Sequence, residues 1–346
     1  MTSMPIAAPI AARIFSSFDA FMKQSALGGE KIALVRIVGV KGSAPRDAHS
    51  HMLVSKSGIY GSVGGGYLEY QALQEANALL ESDKDCSAFE CALGAQIGQC
   101  CGGVVALAIQ RMDAQSLDVF AREEQERRAL QPEVYIFGAG HVGLALARAF
   151  ALLPVQTFLI ESRAEYLKQA PKDVSACYYH NPEQAISTAA PGAAFLVLTH
   201  DHGLDFALSY AALKREDATY VGLIGSKTKR GKFHNWVRRR EQGRDELAQK
   251  LVCPIGAQAR SGLLLKDKRP EVIAALGAAE VMEAFAQPTI VKNKTINACT
   301  DRQKAYTKPQ GSLQAHQQEG MKDDERGNSA SSNACDNKIF SWGSGQ

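Results

Sequence analysis

The chain has 346 residues, of which 45% are hydrophobic and 22% charged, with 39 basic and 36 acidic side chains and a formal net charge of +3. This is a globular composition with apolar material for more than one core, and at roughly 150 residues per domain the length suggests two domains. The near balance of charge excludes a polyanion-binding field and argues against nucleic-acid partners; the longest apolar runs reach about ten residues where a bilayer needs roughly twenty, which argues against a membrane or secreted protein. Eight cysteines with no CxxC pair make neither a disulfide scaffold nor a zinc site, so reduced thiols and the cytoplasm are expected.

In chain order, residues 12–26 carry Ile14, Phe15, Phe18, Phe21 and Met22 at helical spacing, which predicts a packed helix. A strand follows over 31–40, then a turn-rich stretch, a second strand over 52–55, and a glycine-rich turn, GSVGGG, that opens into a long helix. GVVALAIQ at 103–110 reads as the strand that closes this first unit, and the charged helical pattern of DAQSLDVFAREEQERRALQ reads as a connection. The expected division is an amino-terminal domain over 12–112, a helical linker over 113–131, and a second domain over 132–286. From Glu133 strand and helix alternate: VYIF, then QTFLIESR, AAFLVLTHDH and TYVGLIGSKTKR as four strands, separated by helices of which 204–213 and 233–240 are the plainest. Such alternation predicts a parallel sheet covered on both faces. Residues 287–346 are rich in Lys, Asp, Gln, Ser and Asn, a composition that cannot offset ordering entropy, so a disordered tail is expected, with its Cys299 and Cys335 functionless.

The clearest motif is Gly138-Ala-Gly140-His141-Val-Gly143, between a strand and a helix, with Glu161 at the end of the next strand. In a dinucleotide fold these glycines give a tight turn, close approach of a pyrophosphate and close helix packing, while the acid accepts from a ribose hydroxyl. A Rossmann-type doubly wound sheet is the expected fold; binding of NAD is a separate claim. If the GAGHVG strand is the first of this domain and FLVL the fourth, His141, His200 and His202 face one crevice, and with Asp201 they suit a metal or an oxyanion. The alternative is that Asp201 caps the following helix and the histidines lie at the surface.

Gly225-Ser226-Lys227-Thr-Lys229-Arg230 puts a hydroxyl and three cations at a helix start, which favours a phosphate; the bland reading is a solvated basic first turn. The first unit holds a third cluster: Gly42-Ser43-Ala-Pro45-Arg46, the triple glycine Gly64, Gly65 and Gly66 before a helix carrying Glu69, and Gly98-Gln99-Cys100-Cys101-Gly102-Gly103. Unhindered N–H groups at the triple glycine suit an anion or a close backbone. Adjacent cysteines do not readily close a ring, so one thiol faces a cleft as a soft ligand or sulfur carrier, or the pair is small-residue packing.

The blocks GSAPRDAHSHMLV, GSVGGGYLE, GQCCGG, FGAGHVG, LTHDHGLD, GLIGSKTKR, CPIG and RPEVIAALGAAEV, in this order between about residues 31 and 286, resemble the XdhC/CoxI family of accessory proteins of xanthine dehydrogenase and related molybdenum hydroxylases. The resemblance implies a small α/β domain followed by a Rossmann domain. It also implies an accessory protein rather than an enzyme: one that binds the molybdenum cofactor, a molybdopterin, assists its sulfuration with a cysteine desulfurase and inserts it into the hydroxylase. It leaves a homodimer open. Carried over by position, the cofactor site draws on Arg46, Gly64 to Gly66, Glu69, Gly138, Gly140, His141, Gly143, His200, Asp201, His202, Ser226, Lys227, Lys229 and Arg230 between the two domains. Cys100 or Cys101 is then the thiol near molybdenum. The sequence departs from the family in the longer AQARSGLLLKDK after CPIG and in His49 and His51, which are expected at the surface. The rival reading is an NAD(P)-dependent oxidoreductase built on GAGHVG, with His200 or His202 as proton donor.

Overall fold

A computed structural model of the chain describes residues 13–43, 50–93, 102–243, 246–257 and 267–287, and the backbone of 289–291 and 294–296. The chain divides into two compact units, one up to Ala121 and the other from Arg122.

The first unit begins with β1 (Ile14–Phe15) and α1 (Phe18–Leu27), where one helix was expected over 12–26. Ser17 decides the start: it is extended, and its hydroxyl accepts from the Ala20 N–H, capping the helix three residues after Phe15 has been committed to a strand. There follow β2 (Ile32–Lys41), β3 (His51–Ser55), β4 (Gly58–Gly61), α2 (Gly66–Glu81), β5 (Cys86–Ala92), β6 (Val104–Met112) and α3 (Ala114–Ala129). The sheet order is β1-β4-β3-β2-β6-β5, antiparallel throughout except for the β1–β4 pair. Both faces of β2 are buried over its first half. Ala33, Val35 and Ile37 meet Leu68, Ala72 and Ala76 of α2, while Ile32 and Leu34 pack with Phe18 and Phe21 of α1 and Phe120 of α3. That two-sided burial is why β2 reads as a continuous apolar run. The hairpin between β3 and β4 is closed by Glu30, whose carboxylate accepts from the Ser57 N–H and hydroxyl. His51, expected at the surface, sits half-buried in β3 with its ring edge-on to Phe120 at 5.1 Å.

The second unit contains β7 (Glu133–Phe137), α4 (His141–Phe150), β8 (Gln156–Glu161), α5 (Ala164–Leu167), β9 (Ser175–Tyr178), α6 (Glu183–Thr188), β10 (Ala194–Val197), α7 (His202–Lys214), β11 (Tyr220–Leu223), α8 (Lys227–Arg240), α9 (Glu246–Gln249) and α10 (Pro270–Ala286). The five strands are all parallel, in the order β11-β10-β7-β8-β9, and Val252 adds a parallel bridge to Gly222. Side chains alternate across the sheet. Val134 and Ile136 pack under α4 and α10 with Phe150, Ala278 and Val281. Tyr135, Phe137 and Phe195 pack under α6, α7 and α8 with Ile186, Leu208 and Phe233. This is the expected doubly wound parallel sheet following an α/β unit, and β10, the fourth strand of this unit, lies directly beside β7. The chain therefore reverses direction between those two strands, the place where open α/β sheets bind ligands.

In the stretch expected to be a structureless tail, the backbone forms a short antiparallel ribbon, β12 (Thr289–Val291) with β13 (Lys294–Ile296). Both segments are rich in β-branched residues, which favour extended backbone. The rest of that stretch lies outside the described residues.

Candidate functional site at the switch point of the parallel sheet

The exit of β7 turns into α4 through three glycines that play different parts. Gly138 has φ +115°, and a Cβ there would lie 2.4 Å from the Leu198 carbonyl oxygen; a Cβ on Gly143 would lie 1.9 Å from the Gly138 carbonyl oxygen. The fold requires both. Gly140 has an ordinary φ of −74°, and a Cβ there would meet nothing within 4 Å. No side chain caps α4, so the amino end of the helix presents backbone N–H groups and the positive end of its dipole beside that open space.

Glu161, at the end of β8, is 4% exposed. Its Oε1 accepts from the Ser162 N–H at 2.9 Å, the Arg163 N–H at 3.2 Å and Arg163 Nε at 3.0 Å, with the Ser162 hydroxyl at 3.4 Å. Its Oε2 accepts from the Ala139 N–H and from Arg163 Nη2, each at 3.0 Å. Burial alone pushes this carboxyl up, but the hydrogen bonds from Arg163 and Ala139 and the Arg163 charge outweigh it and hold the pKa down at about 2. The guanidinium in turn lies 4.0 Å over the Tyr166 ring. The expected ribose acceptor is thus spent on its own chain: it fastens the turn through Ala139. Beside it, a shallow recess, open to solvent, is lined by the exits of β7, β8 and β10, including Gly138, Glu161, Thr199 and His200.

The exit of β10 is organised by Asp205, which is fully buried. Its Oδ1 accepts from the Thr199 N–H at 2.8 Å and hydroxyl at 2.7 Å, and its Oδ2 from Lys229 Nζ at 2.5 Å. His202 Nδ1 lies 3.9 Å from the same Oδ2, with its side chain 86% exposed. One carboxylate thus ties the exit of β10, the body of α7 and the start of α8. Sequence reading passed over Asp205, although a signal was present: Asp205, Leu208, Ser209, Ala212 and Leu213 form the buried stripe of α7, placing a carboxylate on a face of otherwise uncharged residues.

The structure sorts the other expected site residues. Asp201 is the N-cap of α7, accepting from the Leu204 N–H at 2.7 Å, and His141, His200 and His202 are exposed. Among the described residues no three His, Cys, Asp or Glu side chains converge on a metal position, and Asp201 has the capping role. At the start of α8, the Ser226 hydroxyl caps the helix by accepting from the Lys229 N–H, and Lys229 is held by Asp205. Each thus has an internal partner, although the Ser226 hydroxyl keeps its own O–H and the Lys229 ammonium its remaining donors; Lys227 and Arg230 are exposed. Cys253, behind this helix start, is buried, and burial pushes its thiol up to about 11 against the pull of Lys229 and Arg230.

In the first unit, Gly64, Gly65 and Gly66 have φ values of +126°, +76° and +59°, so the turn itself demands three glycines. Glu69 reaches back to it, its Oε2 accepting from the Ser62 hydroxyl at 2.7 Å and the Gly65 N–H at 3.2 Å, as an acid in the first turn of a helix does. Ser43 and Gly102 form a parallel bridge, and a Cβ on Gly103 would lie 2.2 Å from the Ser43 carbonyl oxygen. The near ends of the GSAPR and GQCCGG stretches therefore touch. Arg46, Cys100 and Cys101 lie outside the described residues.

Comparison with known proteins places this geometry. The family model described as the XdhC Rossmann domain matches residues 134–281, and the one described as the XdhC and CoxI family matches residues 26–88. The chain is similar to YqeB of Escherichia coli (strain K12), described as an uncharacterized protein, with 23% identity over 232 residues, 65% of this chain and 39% of that protein. The chain thus spans well under half the length of that relative. Its fold is similar to the crystal structure of a xanthine dehydrogenase from Bacillus halodurans, with a TM-score of 0.60 and 17% identity over 79% of this chain and 97% of the other. With both units matched in the order in which they occur, the chain belongs to the XdhC and CoxI family.

Proposed function

We propose that this chain is an accessory protein of xanthine dehydrogenase or a related molybdenum hydroxylase, which binds the molybdenum cofactor, assists its sulfuration with a cysteine desulfurase and inserts it into the target. Family membership supports the accessory role. The observation that carries cofactor binding is Gly140: two glycines of the turn are needed by the fold, whereas the third leaves an open cradle at the positive end of α4. A cradle of that kind fits the phosphate of a pterin cofactor.

When bound, the group supplies an oxygen- and sulfur-ligated metal on a phosphorylated pterin dithiolene. The chain's own residues hold and orient it. The N–H groups that follow Gly140 take the phosphate, since the Ala139 N–H is committed to Glu161. Asp205 fixes the β10 exit that carries His200 beside the turn. Cys100 or Cys101 supplies the soft ligand near the metal. Protein purified anaerobically from a molybdate-supplied host is expected to carry pterin and molybdenum in near-stoichiometric amounts. Pterin-free protein that also fails to take up cofactor in vitro overturns the reading. Cys100→Ala and Cys101→Ala, made separately, test the thiol: one of them is expected to lose activation of the target hydroxylase.

A further inference from the structure

We infer that Glu161 is a positioning residue for the phosphate turn and that this site reads its ligand through phosphate without reading a ribose. The inference rests on the phosphate site proposed above and defines its selectivity. A carboxylate at the end of the second strand of such a fold ordinarily recognises a ribose diol because its acceptor sites are open. A carboxylate has about four lone-pair sites. Here Ala139, Ser162 and Arg163 already direct six donor contacts at Glu161. A ribose hydroxyl would have to displace one of them from a carboxylate that is only 4% exposed. Another polar group lining the recess is likewise engaged: the Thr199 hydroxyl bonds Asp205 Oδ1 at 2.7 Å and accepts from the Asp201 N–H at 3.2 Å.

The same contacts say what Glu161 does instead. Its bond to the Ala139 N–H holds the middle of the Gly138–Gly140 turn, and its pairing with Arg163 cancels a negative charge that would otherwise oppose a phosphate beside it. Displacing the carboxylate therefore alters the phosphate site directly, whatever else the ligand carries.

The test uses the full chain and calorimetric titration with inorganic pyrophosphate, ADP, 2′-deoxy-ADP, NAD and NADP. ADP and 2′-deoxy-ADP are expected to bind within twofold of each other, and NAD to gain no more than threefold over pyrophosphate. Glu161→Gln is expected to weaken pyrophosphate and ADP by the same factor, at least tenfold, and Gly140→Ala to abolish binding of both with an unchanged unfolding temperature. A tenfold preference for ADP over its deoxy counterpart, or a Glu161→Gln loss confined to ribose-bearing ligands, overturns the inference, as does failure of every probe to bind. Should Glu161→Gln not fold, the ligand series on the native chain decides alone. Retained molybdenum and pterin together with ribose discrimination sinks this inference and leaves the accessory role standing; sugar-blind phosphate binding without any pterin does the reverse.

Discussion

At the scale of single residues, the glycine turn separates what the fold needs from what a ligand needs. Gly138→Ala and Gly143→Ala each drive a Cβ into a carbonyl oxygen, so each is expected to lower stability by at least about 2 kcal/mol, read from urea midpoints. Gly140→Ala meets no atom and is expected to leave the midpoint unchanged. Glu161 adds a pH dependence of known sign. Its folded pKa of about 2 lies below its ordinary 4.5, so the stability it contributes is fully present above pH 4.5 and is lost as pH falls from 4.5 toward 2. The difference in urea midpoint between the native chain and Glu161→Gln should be flat from neutral pH down to about 4.5 and shrink below it. None of this was visible in the motif. GAGHVG and a distant acid announce a turn and a carboxylate, but whether that carboxylate faces a ribose or its own backbone depends on where Arg163 and Ala139 come to rest.

At the scale of elements, α7 and α8 are joined to each other by a buried ion pair. The side chains of Asp205 and Lys229 are 1% and 13% exposed, so removing one partner leaves the other charged and desolvated. Lys229→Met is expected to cost about 3–5 kcal/mol, measured as a fall in the urea midpoint of the Rossmann unit, far more than a surface lysine would. The sequence placed Lys229 at a helix start beside Lys227 and Arg230 and suggested a phosphate for all three. Sequence order cannot say that a residue 24 positions earlier reaches the same point, because α7 and α8 converge there only through the parallel pairing of β10 with β11. Elements themselves were legible in proportion to their burial. The well-buried strands β2, β6, β7, β8, β10 and β11 carry apolar runs that announce them. The strands that escaped notice, β1, β4, β5 and β9, are short or lie toward sheet edges, and β9 is mostly exposed. They are held by backbone pairing to a neighbour already in place, which leaves little mark on side-chain pattern.

At the scale of the whole molecule, each unit has cores of its own. Phe21, Leu68 and Leu107 fill the first; Phe137, Phe150 and Phe195 fill the second. Separate cores unfold as separate cooperative units. Scanning calorimetry is therefore expected to show a calorimetric enthalpy larger than the van't Hoff enthalpy, and Lys229→Met to lower the transition of the second unit alone. A single transition with equal enthalpies would contradict this. No helix among the described residues is long and apolar enough to cross a membrane.

The sequence by itself determined the order of the units, the strand–glycine–helix turn, the doubly wound sheet and the family. Each of these is written in local pattern: period-two and continuous apolar runs, glycines at fixed spacing, motif blocks in series. Only the tertiary structure decided which candidate groups are already engaged. Asp201 and Ser226 became caps, Lys229 the partner of a buried Asp205, and Glu161 the fastening of its own glycine turn. The physical reason is that a buried polar group must find a partner, and the nearest one in space is chosen by strand order and helix packing rather than by distance along the chain.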